Sequence, residues 1–467
     1  MVKKIVFVAG SGGKDLWVGK ISQELSKREK IIPHFIATSK KNTDVIHNMG
    51  YKLNDIAEII PFEGWVTPNL PYLSECEKKY SLNIWDLWYV SSVRSKKRQK
   101  MSQKKVLGYF QYVFEKTERI LKEFSPDYYL CYGAAAFHAI IFREVFRQNN
   151  VKVIDLRPSI IPNHFTIFKD LSNIDPGLTR AYLNIKGREI SKKERKEAEQ
   201  FIIKFRNKPL QQDCARKFKR PLSKKLMKYW SYALELIKYR KLPPNLRYFF
   251  WPIIQKIYDS IGIFEKPKLN ERYILYPLHF QPESTTLIHG KWYVDQASLI
   301  ENISKSTPIT HKIYVKEHPN GYGNRSLQFY KRIKRLQNVR LISPHENTFN
   351  LIRGCSLVAT ITGTTGWEAL LFQKPVITFG NRFYNIFDGV KKIEKIEELP
   401  QIIQERLDQK NDYEDLLKVV TALFRSSYRG LARYPGSCED LSLKDENIKL
   451  LTEGIIGYFN TLDVHPL

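Results

Sequence analysis

Cysteine is sparse in this chain, long apolar runs are missing, and acid falls well short of base. The five cysteines (Cys76, Cys131, Cys214, Cys355 and Cys438) are scattered, odd in number and form no CxxC pair. That argues against a disulfide framework and against a zinc site, and it fits a reducing cytoplasm. No apolar run reaches the ~18 residues that a membrane-spanning helix needs. Met1-Val2-Lys3-Lys4 leads straight into the short apolar stretch Ile5–Ala9 with no long h-region, so no secretory signal peptide is expected. Asp and Glu number 48 against 76 Lys and Arg, a formal net charge of +28, and Ser191–Lys241 alone holds 17 basic against 5 acidic residues. A basic surface suits nucleic acid, an anionic membrane face or an acidic polymer, although lysine-rich composition also accompanies an AT-rich genome. No zinc-finger, RRM or KH signature is present, so only charge speaks for nucleic acid, and nucleic acid is not an expected partner.

What the chain does have is alternation. With 467 residues, 43% of them hydrophobic, it suits two domains and an extra helical piece. Ile5–Ala9, His34–Thr38, Glu58–Pro61, the run into Cys131 and Val151–Leu156 read as strands separated by helical segments, and the same pattern restarts at Tyr273–Leu278. The expected fold class is α/β: two Rossmann-like, doubly wound domains facing a cleft, with a basic helical insertion. The expected boundaries are 1–170, 171–268 for the insertion, 269–435, and 436–467 for a terminal helix packing back at the domain junction. Within the insertion, Trp230–Tyr239 reads either as an amphipathic basic helix for a membrane surface or as an ordinary helix with solvated lysines.

The second half is organised around SLVATITGTTGWEALLFQKPVITFG, residues 356–380. It reads as a buried strand (Leu357–Ile361), a polar turn (Thr362, Gly363, Thr364, Thr365, Gly366), a short helix (Trp367–Phe372) and another buried strand (Val376–Phe379). A turn at a helix N-terminus offers free N–H groups and the positive end of the helix dipole, and the two threonine hydroxyls add donors. This is an anion site, expected to hold the phosphate of an activated sugar. Glu368 stands near the start of the helix, either to accept from a ribose or simply as a favourable acid in a first turn.

Three more polar loops follow strands of the same half: one with Gln281 and Glu283, one with Lys316, Glu317 and His318, and one with His345. A lone histidine is more often structural. Four polar loops at equivalent strand ends, where parallel sheets bind ligands, change that weighting. Lys316 and His318 would supply positive donors to a phosphate leaving group, and Glu283 or Glu317 could bind hydroxyls or act as base. In the first half, Gly12, Gly13 and Lys14 follow Ile5–Ala9 and match neither GxGxxG nor the P-loop; they form either a tight turn or a loop facing the cleft. No well-placed DxD occurs, so no metal and no cofactor is expected.

QPE, KEHP, the PHEN-type loop and the 356–380 stretch followed by Phe383-Tyr384 resemble the capsule polysaccharide biosynthesis family, over roughly Tyr273–Tyr384. That family includes Kdo (3-deoxy-manno-octulosonate) transferases with GT-B-like folds. The HP pair with a hydroxyl-rich loop is also similar to bacterial sialyltransferases that use CMP-activated sugars. The resemblance implies that His318, Thr364 and Thr365 contact the donor phosphate, and that Glu368 or Glu283 contacts nucleotide or sugar, with 1–170 the acceptor side. Those sialyltransferases carry an acidic-acidic-Gly motif in the N-terminal domain; here Glu63-Gly64 and Asp155 are poor substitutes, so the base stays unassigned. The expected protein is a cytoplasmic glycosyltransferase of surface polysaccharide, peripheral on the membrane. It would move a sugar from a nucleotide donor, CMP-Kdo or a similar CMP-sugar, to a glycan or lipid-linked acceptor. The alternatives are a UDP-sugar 2-epimerase-like enzyme and a non-catalytic polysaccharide- or nucleic-acid-binding protein.

Overall fold

The computed structural model describes residues 2–133, 136–207, 254–407, 409–433 and 441–464. The chain divides into two compact units, Met1–Ala181 with Ala422–Leu467, and Tyr182–Thr421. Its strands in chain order are β1 (Lys3–Ala9), β2 (Ile31–Ala37), β3 (Ile56–Glu58), β4 (Tyr128–Cys131), β5 (Lys152–Pro158), β6 (His164–Phe168), β7 (Tyr273–Pro277), β8 (Lys312–Lys316), β9 (Val339–Ile342), β10 (Leu357–Thr360), β11 (Val376–Thr378), β12 (Val390–Lys392) and β13 (Tyr428–Arg429).

The first unit holds a seven-stranded sheet in the order β13-β6-β5-β4-β1-β2-β3. It is parallel from β3 to β5 and antiparallel at β6 and β13. All four residues of β4 are buried, as a parallel strand covered on both faces requires. Phe7 on β1 lies in register with Phe35 on β2, their rings stacked at 5.3 Å. The helix Lys14–Arg28 lays Trp17, Ile21 and Leu25 on this sheet, and the terminal helix Asp445–Val464 adds Leu451, Ile455 and Phe459 to the same core cluster.

The second unit holds six parallel strands in the order β12-β11-β10-β7-β8-β9. Both sheets are therefore Rossmann-like. In each the chain steps outward one way and then returns to the other side of its first strand, so strand order reverses between β1 and β4 and again between β7 and β10. The crevice outside the carboxyl ends at such a reversal is where open α/β sheets bind ligands.

Several expectations are revised. The terminal helix is part of the first unit's own core, because its apolar face packs against the helix Lys14–Arg28, β13 and Tyr128 of β4. The expected insertion 171–268 does not stand apart: 171–181 belong to the first unit, and Lys192–Asn207 and 254–268 to the second. Its remainder, including Trp230–Tyr239 and most of the basic run, lies outside the described residues. The helical pattern from Tyr80 to Lys122 is broken by short turns, giving helices that end at Tyr80, Ser92, Gln99 and Phe124, three of them started by Asn83, Ser95 and Ser102. Among the described residues no helix is long and apolar enough to cross a membrane.

Candidate functional site

The carboxyl edge of the second sheet is tied together by His279, the second residue after β7. Its Nε2 accepts from the backbone N–H groups of Ile361 (3.1 Å) and Thr362 (3.4 Å) and lies 3.2 Å from Thr360 Oγ1. An imidazole nitrogen that accepts from N–H carries no proton, so the ring is neutral with its hydrogen on Nδ1. Burial, then Arg325, Arg382 and His318, push its pKa down to about 3, which keeps it so. Gln296 holds the backbone of His279 from both sides, Oε1 accepting from its N–H (2.8 Å) and Nε2 donating to its carbonyl (3.1 Å). The loops after β7 and β10 are thereby locked at the point where strand order reverses.

After β10 the turn is shorter than the pattern of threonines and glycines suggested. Only Ile361, Thr362 and Gly363 are outside regular structure; the helix runs Thr364–Leu371, with Gly363 as N-cap and no side-chain cap. Gly363 N–H donates to Thr360 Oγ1 (3.2 Å). Thr364 is exposed and Thr365 half-buried, so the first turn of an uncapped helix reaches the surface with two hydroxyl-bearing residues, while the Gly366 N–H donates to the Gly363 carbonyl (3.2 Å). Gly366 serves packing, not the close approach of a ligand: a Cβ there would sit 2.6 Å from the Tyr384 hydroxyl. That hydroxyl donates to the Gly363 carbonyl and holds the turn from behind. Glycines at Gly290 and Gly380 admit the neighbouring loops, since a Cβ on Gly380 would meet His289 O at 2.5 Å and one on Gly290 would meet Ile361 at 2.3 Å.

The loop after β8 separates its three candidates. Glu317 is fully buried and its carboxylate is saturated: Arg325 Nε at 3.1 Å, Tyr330 hydroxyl at 2.7 Å and His318 N–H at 2.6 Å. Arg325 also donates to the His279 carbonyl. Glu317 therefore positions the loop and has no lone pair left for a substrate proton. His318 is half-buried, accepts from Asn320 N–H through Nδ1 (3.1 Å), and has its pKa lowered by burial, Lys316 and Arg325. At neutral pH it is uncharged, a hydrogen-bonding group where a cation was expected. Lys316 is buried, donates to the carbonyls of Pro344 (3.2 Å) and Glu317 (3.4 Å), and has its pKa lowered by burial.

Glu368 carries the most altered carboxyl at this edge. Burial raises its pKa from 4.5 to about 7, and Lys316 only partly opposes the rise. It makes no hydrogen bond among the described residues and is half-buried on the first helical turns after Gly363. Glu283 is the N-cap of the helix Ser284–His289 and accepts from Thr285 Oγ1 (3.1 Å). Gln281 donates to the Val294 carbonyl (2.8 Å) and lines, with Phe280, Asn324, Arg325 and Phe329, a cavity of 250 Å³. His345 is exposed, its ring edge-on to Tyr322 at 5.8 Å. Gly12, Gly13 and Lys14 belong to the other unit, at the carboxyl end of β1. Sequence reasoning passed over Arg325; it placed His279 in the loop after Tyr273–Leu278 and Tyr384 directly after the motif, without giving either a role.

Residues 255–409 match the family model "Capsule polysaccharide biosynthesis protein", which bears out the resemblance read from the motifs of that segment. No curated protein matches the chain. Among solved structures, the chain is similar to the Thermosulfurimonas dismutans KpsC beta Kdo 2,7 transferase (14% identity, 74% of this chain and 89% of that one, TM-score 0.40). It is also similar to the beta Kdo 2,4 transferase of the same organism's KpsC (15% identity, 65% and 82%, TM-score 0.38). A third likeness is to the S. aureus MnaA structure with UDP (12% identity, 100% and 98%, TM-score 0.29). At these scores the likenesses decide nothing about activity.

Proposed function

We propose that this protein is a glycosyltransferase of capsular or other surface polysaccharide, with its nucleotide-sugar donor bound at the carboxyl edge of the second sheet. The observation that carries this reading is the uncapped helix N-terminus at Thr364, locked by His279 to the loop after β7 at the reversal of strand order. Such a place attracts phosphate, and the helix dipole stabilises charge on a departing phosphate as well as on a bound one. Thr364 and Thr365 would donate to the phosphate, and Glu368, a turn further on, would meet the ribose hydroxyls. His318, neutral, would donate to or accept from the sugar or its phosphate, and Glu283 is the accessible carboxylate of the β7 loop. The match of residues 255–409 to the capsule family supports surface polysaccharide as the product class. CMP-Kdo or a similar CMP-sugar remains the preferred donor, a glycan or lipid-linked acceptor the preferred partner, and the inner face of the membrane the preferred location.

Thermal stabilisation by CMP, UDP and GDP nucleotides tests donor binding directly, through linkage. One nucleotide class should raise the melting temperature. The double variant Thr364→Ala/Thr365→Ala should abolish that rise and, together with His318→Ala, abolish turnover while leaving the fold intact. Full activity in these variants overturns the reading. Product analysis separates transfer to an acceptor from conversion of the nucleotide sugar without one, the epimerase-like alternative.

A further inference from the structure

Four large aromatic side chains are exposed among the described residues, and three of them fall between β3 and β4: Trp65 (46%), Trp85 (49%) and Tyr89 (47%). Exposed apolar surface gathered in one segment marks a place where something docks. The helix Ile84–Ser92 turns Ile84, Leu87, Val90 and Ser91 inward, while Trp85 and Tyr89, four residues apart, share its outer face. The loop that carries Trp65 lies along the helix Gln103–Phe124. Three bonds strap it there: the Tyr109 hydroxyl to the Phe62 carbonyl (2.6 Å), Val66 N–H to the Gly108 carbonyl (3.4 Å) and Asn69 N–H to Gln111 Oε1 (2.6 Å). Gly108 admits the loop, since a Cβ there would overlap the Val66 carbonyl and come 3.1 Å from the Trp65 ring. Leu70, at the end of the same loop, is 60% exposed.

The charge beside these side chains has one sign. Arg94–Lys105 carries seven basic residues and no acidic one. Arg98 fastens this run to both aromatic elements. Its guanidinium lies 4.5 Å over Phe62, whose ring is 6.5 Å from Trp88, and its Nη1 donates to Ser91 O (3.3 Å) and Oγ (2.9 Å). Lys104 and Lys105, both exposed, stand one turn before Gly108 on the helix that the Trp65 loop crosses. Tryptophan and tyrosine pair an apolar body with a polar edge, and lysine carries its charge on an apolar stem. Together they suit the boundary between anionic headgroups and acyl chains. Each basic residue near such a surface strengthens binding about fivefold, so a few lysines and inserted rings hold a protein without a spanning helix. An acidic polymer would meet the charge but leave Leu70 in water.

We infer that this surface docks the protein on an anionic lipid bilayer. Trp65, Leu70, Trp85 and Tyr89 enter the headgroup boundary, and Lys100, Lys104 and Lys105 face the lipid phosphates. This gives a surface to the membrane location proposed above and rests on that reading only for its purpose; the docking itself needs no donor.

The test is sedimentation of the full chain with vesicles of phosphatidylcholine alone, or of phosphatidylcholine with about one-third phosphatidylglycerol. Wild type is compared with Trp85→Ser/Tyr89→Ser and with Lys100→Gln/Lys104→Gln/Lys105→Gln, all changes at exposed positions. Wild type should bind the mixed vesicles, release them as salt rises, and leave pure phosphatidylcholine unbound. The lysine variant should lose about a hundredfold in affinity. The aromatic variant should lose about tenfold or more, and brominated acyl chains should quench its tryptophan fluorescence less than that of the wild type. Equal binding by all three proteins, or no preference for the anionic vesicles, overturns the inference. Binding of polygalacturonate without binding of vesicles overturns it in favour of an acidic glycan, and unchanged quenching in the aromatic variant overturns the insertion of the rings. Thermal stabilisation by the donor nucleotide should be the same in all three proteins. Its absence with vesicle docking intact refutes the donor assignment and leaves the docking surface standing.

Discussion

Replacing Glu368 by glutamine should make the free protein more stable in alkali while weakening its donor site. The carboxyl has an ordinary value of 4.5 and is raised to about 7 by burial, with Lys316 opposing. Between those two values the folded protein keeps a proton that the unfolded chain has released. Its stabilising share is therefore complete below pH 4.5 and is lost as pH rises to about 7. At about 1.36 kcal/mol per pH unit the full loss is about 3.4 kcal/mol. Partial exposure of the side chain lowers this by solvent screening, to about 2 kcal/mol. Glutamine cannot ionise, so Glu368→Gln should match the wild type near pH 4.5 and exceed it by about 2 kcal/mol at pH 8. Denaturant unfolding of the two proteins across pH 4.5–8 measures the difference, and the same samples should show weaker thermal stabilisation by the donor nucleotide. A functional carboxyl held against its own solvation is a known trade between activity and stability. Parallel pH profiles for the two proteins would refute the reasoning, because they would mean that Glu368 is ionised at no cost in the fold.

Two further substitutions separate positioning from contact with the donor. Tyr330→Phe deletes the 2.7 Å hydrogen bond to the buried Glu317 carboxylate and should destabilise the protein by about 1–3 kcal/mol. Nucleotide affinity, measured by calorimetry, should fall less than in Thr364→Ala/Thr365→Ala, since Arg325 still holds Glu317. Gly366→Ala drives a methyl against the Tyr384 hydroxyl, 2.6 Å from the Cβ position, and should cost about 1–3 kcal/mol together with donor binding. In a Tyr384→Leu background the same change should cost clearly less, and an unchanged cost in that double-mutant cycle would dissociate Gly366 from Tyr384.

The strands of both sheets were legible because parallel strands covered on both faces must be apolar throughout. Tyr273–Pro277 and Leu357–Thr360 could therefore be placed within a residue. Strand order was not legible, since neither β7 nor β10 carries any mark that they lie side by side; the pairing of Leu357 with Ile274 decides it. The short antiparallel β6 and β13 were missed for a related reason: two or five residues at a sheet margin need no periodic pattern. In the site, residue type was a better guide than role. Glu317 looked like a free base from its place after β8. Arg325, eight positions on in a turn, captures it, and no spacing rule connects the two. Gly366 looked like a concession to phosphate, yet the atom that needs its missing side chain is the Tyr384 hydroxyl.

His318 was chosen as the partner of the threonine turn, but His279 makes the bonds. The difference is one of strand order, since β7 lies between β10 and β8. Once that order is known, the histidine after β7 is the one within reach of the turn after β10, and the histidine after β8 is left with its ring turned toward Phe280, 5.9 Å away. The same logic applied to the first sheet puts Lys14 and Tyr132 side by side. The glycine loop at Gly10–Gly13 matched no nucleotide motif. Its contribution is the placing of Lys14 at the head of the helix Lys14–Arg28, where its Nζ lies 5.4 Å over the ring of Tyr132.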